Sequence, residues 1–255
     1  MRRLIIILVV LIGVAVAADF GSAALAESAV SREMRGQLGL VDDPSVRING
    51  FPFLTQAISG TYSSIDVDAT RIPYGSFKEL EGNARLHDVS APLSMLLGPG
   101  PKSLTAATAE GIIKINAADL QRLIPAAKKV RIESVDKNTL EQAVKKGADP
   151  TVATMSPART ARLVGTVDFF GQTAEVAVLA TLRLAKGRAD IVPVDARLSD
   201  GTGLPVPGSV LKQILDLFRV PLITGDLPLD VTADTFQAKD GTLQISGRAR
   251  NLTLD

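Results

Sequence analysis

The stretch Ala174-Glu175-Val176-Ala177-Val178-Leu179-Ala180-Thr181-Leu182-Arg183-Leu184 puts Ala174, Val176, Val178, Ala180, Leu182 and Leu184 at every second position. A period of two places one set of side chains on a single face of a strand. Eleven residues or so make about 36 Å of strand, roughly twice the usual length. Before it, residues 163–169 form a second strand that enters through Gly171; after it, Gly187 turns the chain into residues 189–198. Gly201, Gly203, Pro205 and Pro207 then mark a loop, and residues 209–219 read as a helix carrying Val210, Leu211, Ile214, Leu215 and Phe218 on one stripe, halted by Pro221. Asp240-Gly241 signals a hairpin between residues 232–239 and 242–254.

The first half uses shorter pieces of the same kind. Val46 and Ile48 alternate with Arg47 and Asn49, and Ile65, Val67 and Ala69 with Asp66, Asp68 and Thr70. Ala84, Leu86 and Asp88 against Arg85, His87 and Val89 give a third strand, and residues 104–115 a fourth. Asn116 reads as an N-cap with Asp119 in the first turn and Leu120, Leu123 and Ile124 on one face. Residues 130–135 read as a strand, and Asn138 with Glu141 as the start of a helix that ends at Lys145, Lys146 and Gly147. The connections are too short for parallel crossovers. The expected class is therefore α+β with antiparallel strands, in one domain over residues 18–255.

At the N-terminus, Arg2 and Arg3 precede an apolar run over residues 4–18, with the small-x-small triplet Ala15-Val16-Ala17. That is the pattern of a signal peptide. Fifteen helical residues reach about 22 Å against a hydrocarbon core of about 30 Å, which favours cleavage over persistence as an anchor. Residues 1–17 are thus a signal peptide or an N-terminal membrane anchor, and the protein is expected on the outer side of the plasma membrane, in the envelope. Beyond the run, Phe20, Ala24, Val30, Met34 and Leu38 lie near helical spacing and Gly39 can end the helix.

Composition narrows the chemistry. Basic residues number 28 and acidic residues 27, a net charge of +1, so the basic excess of a nucleic-acid binder is missing. The absence of Trp also argues against stacking platforms. With no cysteine and a single histidine, His87, the thiol nucleophile, the zincin helix and the multi-histidine metal cage are excluded. No catalytic residue, metal site or cofactor is expected. Asp66 and Asp68 at i, i+2 read as the wet face of a strand rather than a metal pair. The basic stretch 128–146 reads as a solvated face, with contact to anionic headgroups as its alternative.

Two apolar segments remain. Gly50-Phe51-Pro52-Phe53-Leu54-Thr55-Gln56 reads as an apolar turn between strands, and Ala91-Pro92-Leu93-Ser94-Met95-Leu96-Leu97-Gly98-Pro99-Gly100 as an apolar loop. Apolar loops need cover from the core, a ligand or a membrane. The order of export segment, Ala-rich helix, Val46-Arg47-Ile48-Asn49-Gly50-Phe51-Pro52-Phe53-Leu54-Thr55-Gln56, Gly60 with Ile65-Asp66-Val67, Leu227-Pro228 and the Asp240-Gly241 hairpin resembles the actinobacterial LmeA-like phospholipid-binding family.

The resemblance implies a tubular lipid-binding fold, a long curved antiparallel sheet wrapped around a few helices to form an apolar tunnel. It also implies a non-enzymatic envelope protein that holds or transfers a phospholipid or glycolipid precursor, of phosphatidylinositol or mannoside type, in support of envelope glycolipid and mannan synthesis. Phospholipid or glycolipid and a membrane surface are the implied partners. From the apolar pattern, the expected lipid contacts are Phe51, Phe53 and Leu54, then Met95, Leu96 and Leu97, and the stripe Leu211, Ile214, Leu215 and Phe218. Two other readings stay open: an adaptor with a filled core that binds an envelope glycosyltransferase, and a hydrolase working through Asp66, Asp68 and Glu175.

Overall fold

The fold comes from a computed structural model that describes residues 2–92, 104–169, 172–185, 188–199, 203–223 and 232–254. It is α+β, as the strand pattern requires. One sheet has the order β1 (Ser45–Asn49), β2 (Thr61–Tyr74), β3 (Phe77–Ser90), β4 (Leu104–Ile115), β11 (Thr242–Leu254) and β10 (Thr232–Lys239). The other has the order β5 (Ala127–Glu133), β6 (Thr160–Phe169), β7 (Gln172–Ala185), β8 (Arg188–Leu198) and β9 (Val220–Ile223). The helices are α1 (Arg2–Leu38), α2 (Phe53–Ser59), α3 (Ala117–Leu123), α4 (Lys137–Lys145) and α5 (Gly208–Leu217). Contacts divide the chain into two compact units, one of Met1–Arg71, Gly82–Gly111 and Ala249–Asp255, the other of Ile72–Glu81 and Ile112–Arg248. The boundaries fall inside β2, β3, β4 and β11, so no linker marks them.

The sheets are antiparallel and curled, and their sequence shows how the curl is produced. Arg71 in β2, Asp88 in β3, Lys129 in β5 and Asn251 in β11 each take a single left-handed conformation, with φ of 51°, 50°, 52° and 49°. Around Lys129 the β5–β6 register slips between Lys128 and Arg131. A residue of this kind bends its strand and raises the local twist. It also reverses the alternation beyond it. Val89, which a strict period of two would set on one face with Arg85 and His87, is instead buried like Leu86 of the other set, whereas Ala84 and Asp88 are exposed.

In the first unit, the export segment and the Ala-rich segment form one unbroken helix, α1, which ends where Gly39 turns to φ +62°. Its buried stripe is Asp19, Ala23, Ala26, Val30 and Met34, packed toward Val46, Ile48, Tyr62 and Ile65. Val30 and Met34 fit the expected stripe; Phe20, Ala24 and Leu38 do not, being exposed. Asp19 fixes that rotation, because its buried carboxylate accepts from the Phe53 and Leu54 amides. The Glu27 carboxylate accepts from the Ile48 amide at 2.7 Å, which occupies a backbone donor on edge strand β1. Strand β1 pairs with β2 in the register Ile48↔Ile65.

The second unit packs sheet on sheet. β10 lies against β5, β6 and β7, and the shared core includes Phe77, Leu80, Leu163, Val178, Ile191, Phe236 and Leu243, with α3 and α5 contributing Leu120, Ile214 and Phe218. Asn116 caps α3, accepting from the Asp119 amide at 2.7 Å. The cap of α4 is Asp136, which accepts from the Thr139 amide at 2.7 Å, not Asn138 as the sequence suggested. An aspartate two residues earlier met the same need. The hairpin forms as read, with Asp240 at φ 53° and Gly241 at φ 72° between Lys239↔Thr242.

Strand β7 is covered on both faces over residues 176–180. Val176, Val178 and Ala180 enter the main core, but Ala177 and Leu179 on the other face are buried too. Leu179 packs with Val135, Leu140, Ala143, Ala148 and Val152, a second cluster that α4 and the turn after it lay over this face. A strand covered on both faces reads as a continuous aliphatic run, and residues 176–180 are one.

Candidate functional site

The carboxylates that a hydrolase would need are committed elsewhere. Asp66 accepts from Arg85 through Nε at 2.6 Å and Nη2 at 3.0 Å, and from Asn49 Nδ2 at 3.1 Å. Asp68 accepts from the Asn83 amide group. Glu175 accepts from Arg131 Nη1 at 2.8 Å. The Arg85 hydrogen bond holds the Asp66 carboxyl below the ordinary carboxylate range, and the Arg131 hydrogen bond does the same for Glu175. A general acid needs the opposite shift. In the basic stretch, Lys128 is paired with Asp168 at 2.9 Å and Arg131 with Glu175, the solvated face that was expected.

The first apolar segment is not a turn throughout. After a cis Phe51–Pro52 bond the chain enters α2 at Phe53, and Gly60 closes that helix at φ +67°. Nothing adjacent in sequence caps α2; the side chain at its N-cap position is Pro52, which can accept nothing. The cap comes from α1. Asp19, almost completely buried, accepts from the Phe53 amide through Oδ2 and from the Leu54 amide through Oδ1, both at 2.8 Å. This bidentate contact satisfies two of the donors that a helix start leaves open.

Within that segment the expected lipid contacts separate. Phe53 points into the core of the first unit and is 3% exposed. Phe51 is 61% exposed and its ring stacks on that of Phe20, with centroids 5.9 Å apart. Leu54 is half exposed, and Ile58, one turn further on the same face, is 89% exposed. The sequence reading missed Phe20 and Ile58. The i, i+4 pair Leu54 and Ile58 was the available signal once residues 53–59 are recognised as helix. Two polar atoms of this unit, Tyr62 Oη and Gln56 Nε2, are buried with no hydrogen-bond partner among the described residues, and burial pushes the Tyr62 phenol up.

The stripe on α5 lies in the other unit. Ile214 and Phe218 are fully enclosed in its core, while Leu211 and Leu215 pack against that core from a half-buried position. The tip of the Phe218 ring abuts Gly165 of β6, where a Cβ would stand 3.3 Å from its Cζ and 3.3 Å from Ala127 Cβ. Met95, Leu96 and Leu97 fall outside the described residues; the segment leading to them begins with Ala91, fully buried, whose amide donates to the Gly60 carbonyl at 2.8 Å.

A family model described as LmeA-like phospholipid-binding matches residues 17–248. No curated protein and no solved structure matches the chain.

Proposed function

Since the chain belongs to the LmeA-like phospholipid-binding family and has a lipid-binding role on that ground, we propose that it is a non-enzymatic envelope protein that holds a phosphatidylinositol-type phospholipid or a mannoside precursor in an apolar cavity. The family match over residues 17–248 carries the reading. The apolar N-terminal helix, compatible with a signal peptide or an anchor, agrees with work at the envelope, as do curled antiparallel sheets with aliphatic inward faces. The proposed contacts are Phe51, Phe53 and Leu54, Met95, Leu96 and Leu97, and Leu211, Ile214, Leu215 and Phe218.

Energetics shape what such a protein does. Two acyl chains hold roughly 30 methylenes, and each contributes about 0.8 kcal/mol on leaving water, on the order of 24 kcal/mol in all. Leaving a bilayer costs about as much, so exchange with the membrane runs close to balance and headgroup contacts set selectivity. Lipid transferred in this way would serve envelope glycolipid and mannan synthesis.

The test is native mass spectrometry of the purified full chain after incubation with phosphatidylinositol vesicles. The expected result is a stoichiometric lipid adduct that organic extraction recovers. Persistently ligand-free protein overturns the reading, and capture of an envelope glycosyltransferase by that same lipid-free protein would put the adaptor role in its place.

A further inference from the structure

We propose that Phe20, Phe51, Leu54 and Ile58 form a docking patch for the surface of a phospholipid bilayer. The patch lies wholly in the first unit. Phe20 and Phe51 are in ring contact, the Leu54 amide is bonded to Asp19 beside Phe20, and Ile58 follows Leu54 by one helical turn. All four are exposed, three of them by more than half. Four large apolar side chains standing together in water need an occupant.

The choice of a bilayer follows from what the patch adjoins. α1 carries the exposed apolar residues from Leu4 to Val16 and by length and composition qualifies as a membrane-crossing helix or a signal sequence; where it is retained, it holds the chain at the bilayer. It continues without a break into the folded part, so Phe20 stands only about 3 Å along the axis from Ala18. No slack exists between the two. The apolar run reaches about 22 Å, short of a hydrocarbon core of about 30 Å. Such a shortfall is met by thinning the bilayer or by adding apolar surface at the helix end. Phe20 and Phe51 are placed to supply that surface, at the level where aromatic rings settle in membranes. Asp19 does not oppose this, because its carboxylate is turned inward onto the two α2 amides. Farther along α1 the exposed side chains become Arg32, Glu33, Arg35 and Gln37, as a helix leaving the interface for water requires.

The inference draws on the lipid-binding reading only for its occupant and needs no internal cavity. The chain has no Trp, so one introduced indole reports alone. The full chain carrying Phe51→Trp, and separately Val41→Trp, is reconstituted in phosphatidylcholine–phosphatidylinositol vesicles containing a shallow doxyl-labelled lipid. Val41 is exposed and follows the far end of α1, about 30 Å along the axis from Asp19. Quenching roughly threefold stronger for Phe51→Trp, with a blue-shifted emission, is the expected result for an indole at headgroup level. Equal, weak quenching of the two overturns the proposal, as does full chain that stays off the vesicles. A blue shift that grows with protein concentration but ignores the lipid quencher assigns the patch to a second copy instead. Ile58→Trp gives the same readout at an almost fully exposed position should Phe51→Trp fail to fold. Phosphatidylinositol uptake is read separately with Ile58→Trp and Val41→Trp, whose positions lie outside the proposed lipid contacts, so loss of docking and loss of the carrier function are distinguishable.

Discussion

Asp19 holds the start of the second helix, accepting from the amide of Phe53, 34 residues away, at 2.8 Å and from the next amide at the same distance. One side chain thereby sets the rotation of α1, begins α2 and fixes Phe53 in the core. Removing the carboxylate leaves two donors unsatisfied in a buried place. Asp19→Ala is expected to destabilise the first unit by about 2 kcal/mol, and Asp19→Asn, which keeps one acceptor oxygen, by less. Chemical denaturation followed by circular dichroism measures both. Equal stability of Asp19→Ala and the parent chain would show that the cap contributes nothing.

Gly165 gives Phe218 its seat. With 3.3 Å from a built Cβ to Phe218 Cζ and to Ala127 Cβ, Gly165→Ala forces one of three packed elements to yield. Alanine favours a strand over glycine, so without this crowding the substitution would stabilise. The expected outcome is a loss of about 1–2 kcal/mol, visible as a lower Tm. Phe218→Leu in the same chain should recover part of that loss, because the smaller side chain removes the contact. Strict additivity of the two substitutions would disprove the packing account.

The parts of the fold legible in the sequence are those whose causes are local. Asp240-Gly241 dictates its hairpin because the turn needs two left-handed residues in succession, and Asn116 announces α3 because the cap and the capped amide are three residues apart. The stripe of α5 was also read correctly, since a helix between Pro207 and Pro221 has few alternatives. The start of α2 was illegible because its cap lies on another helix. The inversion at Val89 depends on the left-handed Asp88, and no pattern of apolar residues foretells which aspartate adopts that conformation. The covering of both faces of β7 was not legible in its period of two, because the second cover, α4, comes from a segment some forty positions earlier. In the candidate site, the apolar character of residues 50–56 was visible, but the division into buried Phe53 and exposed Phe51 and Leu54 was not.

Asp66 makes stability sensitive to acid. Its folded-state pKa lies below the ordinary value because of the hydrogen bond from Arg85, so the folded chain keeps this carboxylate ionised at pH values where the unfolded chain protonates it. The stabilisation is complete above the unfolded pKa, near 4, and is lost as pH falls through the lower folded value. Asp66→Asn is therefore expected to melt lower than the parent at pH 7, with the gap closing under acid. Salt should narrow the gap as well, because Arg85 is exposed. A Tm difference that stays constant from neutral to strongly acidic pH would refute the assignment.

Leu211 and Leu215 offer the sharpest separation of lipid contact from folding. They stand one turn apart on α5, half-buried at the edge of the core that encloses Ile214 and Phe218. A polar group at Ile214 would be buried without a partner, so Ile214→Asn should lower stability by several kcal/mol, and its loss of uptake would not separate lipid contact from unfolding of the second unit. Leu211→Ser and Leu215→Asn reach water at their half-exposed positions and should cost about 1 kcal/mol each. If this edge of the helix touches acyl chains, those two variants lose phosphatidylinositol occupancy severalfold in native mass spectra while their melting curves remain close to that of the parent. Undiminished occupancy in the folded double variant would remove α5 from the proposed lipid site and leave Phe51, Phe53 and Leu54 in the first unit as the described contacts to test.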